Sequence, residues 1–133
     1  MSRIPFPAFP RPVRYAGVAA VIAVIAYFSL FGVVSQPGTG PWWDKKLHFA
    51  AYAGLGLAMG YATIHHRDRP AYRIGLILLV AGGYGALIEV IQWGLPYRYF
   101  GWGDLAANLV GALLAVGLLA AERVIRYVPV PAR

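Results

Sequence analysis

The stretch IGLILLVAGGYGALIEVIQ, residues 74–92, decides the fold. It runs for 19 residues and carries no charge until Glu89. At 1.5 Å of rise per residue such a helix is about 28 Å long, close to the roughly 30 Å hydrocarbon core of a bilayer. Strands of 4–8 residues have no use for so long an apolar run, so the stretch reads as a membrane span. Working outward, Leu105–Ala121 is a similar run with Asn108 inside it. Leu47–Ile64 is another, rich in Ala and Gly, with His48 near its start. Tyr15–Val34 has no charge at all. The expectation is an all-α polytopic protein, one domain over 1–133, with four transmembrane helices near 15–34, 45–64, 74–92 and 104–125 in a compact bundle.

The remaining composition agrees. Of 133 residues 59% are hydrophobic and 13% charged, and the mean hydropathy is +0.59, far from a soluble balance. Without cysteine the chain has no disulfide, thiolate metal ligand or cysteine nucleophile. The net charge of +7 is spread over short segments flanking the apolar runs. That pattern suits membrane topology and anionic headgroups, not a nucleic-acid face. Arg3, Arg11 and Arg14 before the first run could introduce a secretory signal. The run is too long for one, and no A-x-A cleavage site follows. Pro5, Pro7, Pro10 and Pro12 make residues 1–14 read as an extended, poorly ordered arm.

Lys and Arg set the direction. The arm holds three, Arg67, Arg69 and Arg73 three, and Arg123, Arg126 and Arg133 three; the other loops hold only Lys45, Lys46 and Arg98. The positive-inside rule then places both termini in the cytoplasm of a plasma-membrane protein. Asp44, Lys45, His48, Glu89, Gln92, Arg98, Asp104 and Asn108 consequently share the outer rim with all four tryptophans. Asp44, His48 and Tyr52 follow at i+4, as do Asp104 and Asn108. Glycines (Gly56, Gly60, Gly82, Gly85, Gly111) continue these faces inward and suit close helix packing. Helix 1, with Tyr27 and Ser29, reads as scaffold. A charge inside a span costs about 2.5–3.5 kcal/mol on the insertion scale, so Glu89 calls for a partner, a proton or water.

Each residue also has an ordinary reading. Asp44 and Asp104 suit N-caps, Lys45 and Lys46 suit snorkelling, and the tryptophans suit an interfacial belt. Arg98 suits a neutralising partner for Glu89 or Asp104, and His48 and Tyr52 suit packing. His65 and His66 read as solvated surface, and Glu122 as a partner of Arg123 and Arg126.

Asp44-Lys45-Lys46-Leu47-His48-Phe49 followed by Tyr52 resembles one signature of the VanZ-like family of membrane proteins. The spacing E-x2-Q-x5-R-x5-D-x3-N-x2-G, through Glu89, Gln92, Arg98, Asp104, Asn108 and Gly111, resembles the other. Leu95-Pro96-Tyr97 is bulkier than the family's small-residue turn. The family is named for a teicoplanin-resistance protein, so the resemblance implies a cell-envelope setting; many members stand outside resistance clusters, so it does not by itself establish an effect on glycopeptide susceptibility. It supplies no reaction. Three functions stand open: an outward-facing site for an envelope lipid, a lipid-linked precursor or a glycopeptide; an enzyme acting on a lipid-linked substrate; and a structural or partner-assembly bundle. The chain has no established metal motif and no activated serine, so catalytic residues, metal and cofactor stay unassigned.

Overall fold

The computed structural model describes residues 2–32, 41–96 and 101–131. Strand β1 (Ile4–Ala8) leads into α1 (Arg11–Phe31), and α2 (Pro41–Ala62) follows. Next come α3 (Pro70–Ile77), a π-helical stretch Leu78–Gly82 and α4 (Gly83–Trp93), which together run as one 24-residue helix. Helix α5 (Trp102–Leu119) continues through a 3-10 turn, Ala120–Val124, into β2 (Ile125–Pro129). The expected helices are therefore present, with boundaries shifted by a few residues.

Three helical segments, Arg11–Phe31, Pro70–Trp93 and Trp102–Val124, are long and apolar enough to cross a membrane. Helix α2 is not among these clear spans, so the expectation of four is met for three. The reason lies in what α2 faces. Tyr52, Ala53, Leu55, Met59 and Ala62 are buried in a core completed by Val18 and Ile25 of α1, Ile77 of α3 and Ala112 and Ala115 of α5. A helix enclosed by its neighbours has less need of lipophilic side chains, and α2 uses Gly and Ala to bring those neighbours close.

Helix α2 packs most closely on α5. A Cβ on Gly56 would lie 2.5 Å from that of Ala115. One on Gly111 would lie 2.5 Å from the Phe49 carbonyl oxygen and 2.9 Å from the Ala53 nitrogen. Gly60 and Gly85 also meet neighbouring helices. Gly82 does not, because nothing lies within 4 Å of its added Cβ. It ends the π-helical stretch, one step round from the buried positions Ile77, Ala81 and Gly85.

The N-terminal arm departs most from expectation. Residues 4–8 are a strand in parallel register with β2, Ile4 opposite Ile125 and Ala8 opposite Pro129. The prolines explain both the error and the structure. The Ala8 carbonyl accepts from Val130 N–H at 2.9 Å, so by alternation Ile4, Phe6 and Ala8 turn their backbone groups toward β2. Pro5 and Pro7 then occupy the outer edge, where a missing N–H costs no ladder bond. There the Pro7 carbonyl accepts from the Tyr61 hydroxyl at 2.8 Å, and the Tyr61 hydroxyl oxygen accepts from Phe9 N–H at 3.1 Å.

Candidate functional site

Two polar clusters lie at opposite ends of the bundle, with the apolar core between them. The first contains the residues singled out by the sequence. Asp44, Lys45 and His48 occupy the first two turns of α2, and Asp104 the first turn of α5. Acidic groups there are favoured by the helix dipole. Asp104 is not a cap: Gly101 holds that position, and no side chain caps it. Instead the Asp104 carboxylate accepts from Lys45 Nζ at 2.6 Å.

His48 joins the helices. Its Nδ1 lies 2.9 Å from Asn108 Oδ1 and 3.8 Å from Glu89 Oε1. An amide oxygen only accepts, so Nδ1 carries a proton in this pairing. Nε2, 3.8 Å from Asp44 Oδ2, then holds a lone pair or, in the imidazolium, a second proton. Carboxylates thus face both ring nitrogens. Glu89 is fully buried at 0% exposure, and its Oε2 accepts from Gly101 N–H at 3.2 Å. Among the described residues its Oε1 has no hydrogen-bond partner, and neither do Asn108 Nδ2 and Tyr52 OH, all buried. Each such atom costs about 1–3 kcal/mol when left unsatisfied. The three come from α4, α5 and α2.

Asp44, His48 and Asp104 also bring one oxygen or nitrogen each to within 4.8 Å of one another. Two carboxylates and an imidazole suit a divalent ion of the Zn or Mn kind, with Lys45 as the competitor already on Asp104.

The other expected site residues are placed as follows. Gln92 is buried but turned away, its Nε2 donating to Ser29 O of α1 at 2.8 Å. It ties the scaffold helix to α4, much as the Tyr84 hydroxyl does by donating to Ile22 O at 2.9 Å. Arg98 lies outside the described residues. Trp42, Trp93 and Trp102 are 74–77% exposed and, with Trp43, lie at this end, as the expectation of an interfacial belt requires.

The second cluster was not anticipated. Arg73, 2% exposed, donates to both Glu122 oxygens, at 2.6 and 3.0 Å, and to Gly60 O at 2.6 Å. Arg14 donates through Nη1 to Tyr61 O and Ala62 O, both at 3.0 Å. Two guanidiniums therefore satisfy the last carbonyls of α2, where positive charge is favoured. The Tyr127 hydroxyl donates to Glu122 Oε1 at 2.6 Å. Burial first, and then that carboxylate, push the Tyr127 hydroxyl above its ordinary range, keeping it a donor. Arg67 donates to the Glu122 carbonyl. The expected pairing of Glu122 with Arg123 and Arg126 is corrected: its partners are Arg73, Arg67 and Tyr127, and Arg123 Nε instead donates to Ala120 O. His65 and His66 are half-buried rather than solvated, their rings tilted at 44° with centroids 4.2 Å apart, and His65 Nδ1 is a further buried atom without a partner among the described residues. A signal for this cluster was available, since Glu122 and Arg73 both sit at the edge of an apolar run.

Long apolar helices around a polar cluster of carboxylates, imidazole and amides define a small helical membrane protein. The chain belongs to the VanZ/LLP1 family, whose model matches residues 4–125. The match begins in β1 and ends in β2, so it includes the arm and α1 that carry neither signature motif. No curated protein and no solved structure compared with the chain matches it.

Proposed function

We propose that the cluster around His48 is an outward-facing site for the headgroup of a phosphate-bearing envelope lipid. The observation that carries the reading is the set of three buried polar atoms without a partner among the described residues: Tyr52 OH, Asn108 Nδ2 and Glu89 Oε1. Two are donors suited to phosphate oxygens, with Lys45 beside them as a third. Glu89 Oε1 is an acceptor suited to a headgroup hydroxyl or amine. The exposed tryptophans hold this end at headgroup depth, and the Lys45–Asp104 and His48 contacts temper the acidic charge an anion would meet. An effect on teicoplanin susceptibility would follow from occupying a lipid that carries cell-wall precursors.

The test is binding of a polyprenyl phosphate to the purified protein in detergent. Glu89→Gln and Tyr52→Phe are expected to accumulate and unfold like the wild type but bind at least tenfold more weakly, a loss of about 1.4 kcal/mol. Unchanged affinity in folded variants would refute the site, and loss of the fold alone would assign the cluster a structural role. One observation supports a second reading, an enzyme on a lipid-linked substrate: carboxylates at 3.8 Å face both nitrogens of His48, a geometry suited to moving a proton. Turnover of a polyprenyl-linked substrate, abolished in His48→Asn while binding persists, would establish it.

A further inference from the structure

At the end opposite His48, a cavity of about 550 Å³ opens between α3 and the end of α5. Arg3, Arg67, Arg73 and Arg123 line it, against Glu122 as its acid. Arg73 is spent on Glu122 through its two short bonds, which leaves a surplus of three positive charges. No hydrogen bond or ion pair holds Arg3 among the described residues. Arg123 is tied only to a carbonyl in its own turn. Arg67 lies on the Tyr127 ring at 5.4 Å, which fixes its plane. The floor is apolar, formed by Ile74, Val116 and Leu119. These three belong to the helical segments Pro70–Trp93 and Trp102–Val124, which are apolar enough to span a membrane.

We propose that this cavity binds the headgroup of an anionic phospholipid, with the acyl chains running down over Ile74 and Val116. The proposal concerns a site separate from the His48 cluster and does not depend on what that cluster binds. Guanidinium forks match phosphate oxygens in pairs, and basic pockets between membrane helices are a recognised place for such headgroups. A free phosphate would use the same arginines. The lipid is favoured because the floor is greasy and continues into the lipid-facing length of two spans, where a soluble anion gains nothing.

The test uses the full-length protein, delipidated in neutral detergent, with phosphatidylglycerol, phosphatidylcholine or inorganic phosphate added and binding followed by native mass spectrometry. Wild type is expected to prefer phosphatidylglycerol over phosphatidylcholine. The pair Arg3→Gln plus Arg123→Gln, both exposed and remote from the core, is expected to weaken phosphatidylglycerol about 25-fold, at roughly fivefold per arginine. The pair Arg69→Gln plus Arg126→Gln removes the same charge from outside the cavity and is expected to leave binding within about twofold. Equal losses in the two pairs would reduce the effect to general surface charge and overturn the site. So would absence of a phosphatidylglycerol preference in wild type, or displacement of the lipid by inorganic phosphate at comparable concentration.

Discussion

Arg73 and Glu122 are nearly excluded from water, at 2% and 7% exposure, and each depends on the other. Removing one partner of a buried ion pair strands the remaining charge, which typically costs about 3–5 kcal/mol. Arg73→Met is therefore expected to destabilise by about that amount in mixed-micelle unfolding, with loss of the α2 cap at Gly60 O included. Adding Glu122→Gln removes the stranded charge yet keeps an acceptor for Tyr127. The double variant is expected to recover most of the loss. A double variant no more stable than Arg73→Met would show that the bond to Gly60 O, not the ion pair, dominates. Glu89 differs in kind: burial is complete, but one carboxylate oxygen is left over. Three such atoms meet around His48, whereas the Arg73–Glu122 pair has its polar atoms matched, and the proposed site rests on that contrast.

The packing of α2 on α5 sets the distance between the halves of the histidine cluster, since His48 is on one helix and Asn108 on the other. Gly111 controls that approach. The atoms its Cβ would strike, Phe49 O and Ala53 N, are backbone and cannot swing aside. Gly111→Ala is expected to cost about 1–3 kcal/mol by overpacking and to lengthen the His48–Asn108 contact. Gly82→Ala meets nothing within 4 Å and is expected to be neutral, or stabilising by up to about 1 kcal/mol from helix propensity. Similar stabilities for the two variants would remove the close-approach argument. The same elements show what a sequence can disclose. The lengths of the helices and the approach of His48, Glu89 and Asp104 were legible, because hydropathy and a 3.6-residue period act along one chain segment; the direct His48–Asn108 contact was not foreseen. The rotation of Gln92 toward Ser29, and of Gly82 away from the core, was not, because it depends on neighbours and on the π-helical stretch. Strand β1 was hidden for a similar reason: prolines argue against a strand until the pairing places them on the outer edge. Its partner is more than 100 residues away in the chain.

For the whole molecule, the two clusters fix a polarity that the fold makes testable. Arg3, Arg11, Arg14, Arg67, Arg69, Arg73, Arg123 and Arg126 gather at the end closed by β1 and β2. Lys45 and Lys46 are the only Lys or Arg at the other end among the described residues. Pairing of β1 with β2, and of Arg73 at the start of α3 with Glu122, ties the arm, the middle loop and the C-terminal strand to the same side. The charge bias is therefore carried by one end, and the positive-inside rule leads to the expectation that this end lies in the cytoplasm. The chain has no native cysteine, so single cysteines report without background. Ala71 and Gly94, both exposed, mark the two ends. In intact cells an impermeant maleimide is expected to label Gly94→Cys and to reach Ala71→Cys only after lysis. Labelling of Ala71→Cys from outside would invert the molecule: the arginine cavity would meet the outer leaflet, and the His48 cluster would face the cytoplasm. The lipid preference of the cavity could survive that result, since it rests on local charge and an apolar floor. The outward-facing headgroup site could not, because a phosphate-bearing envelope lipid would have to be recognised from the opposite leaflet.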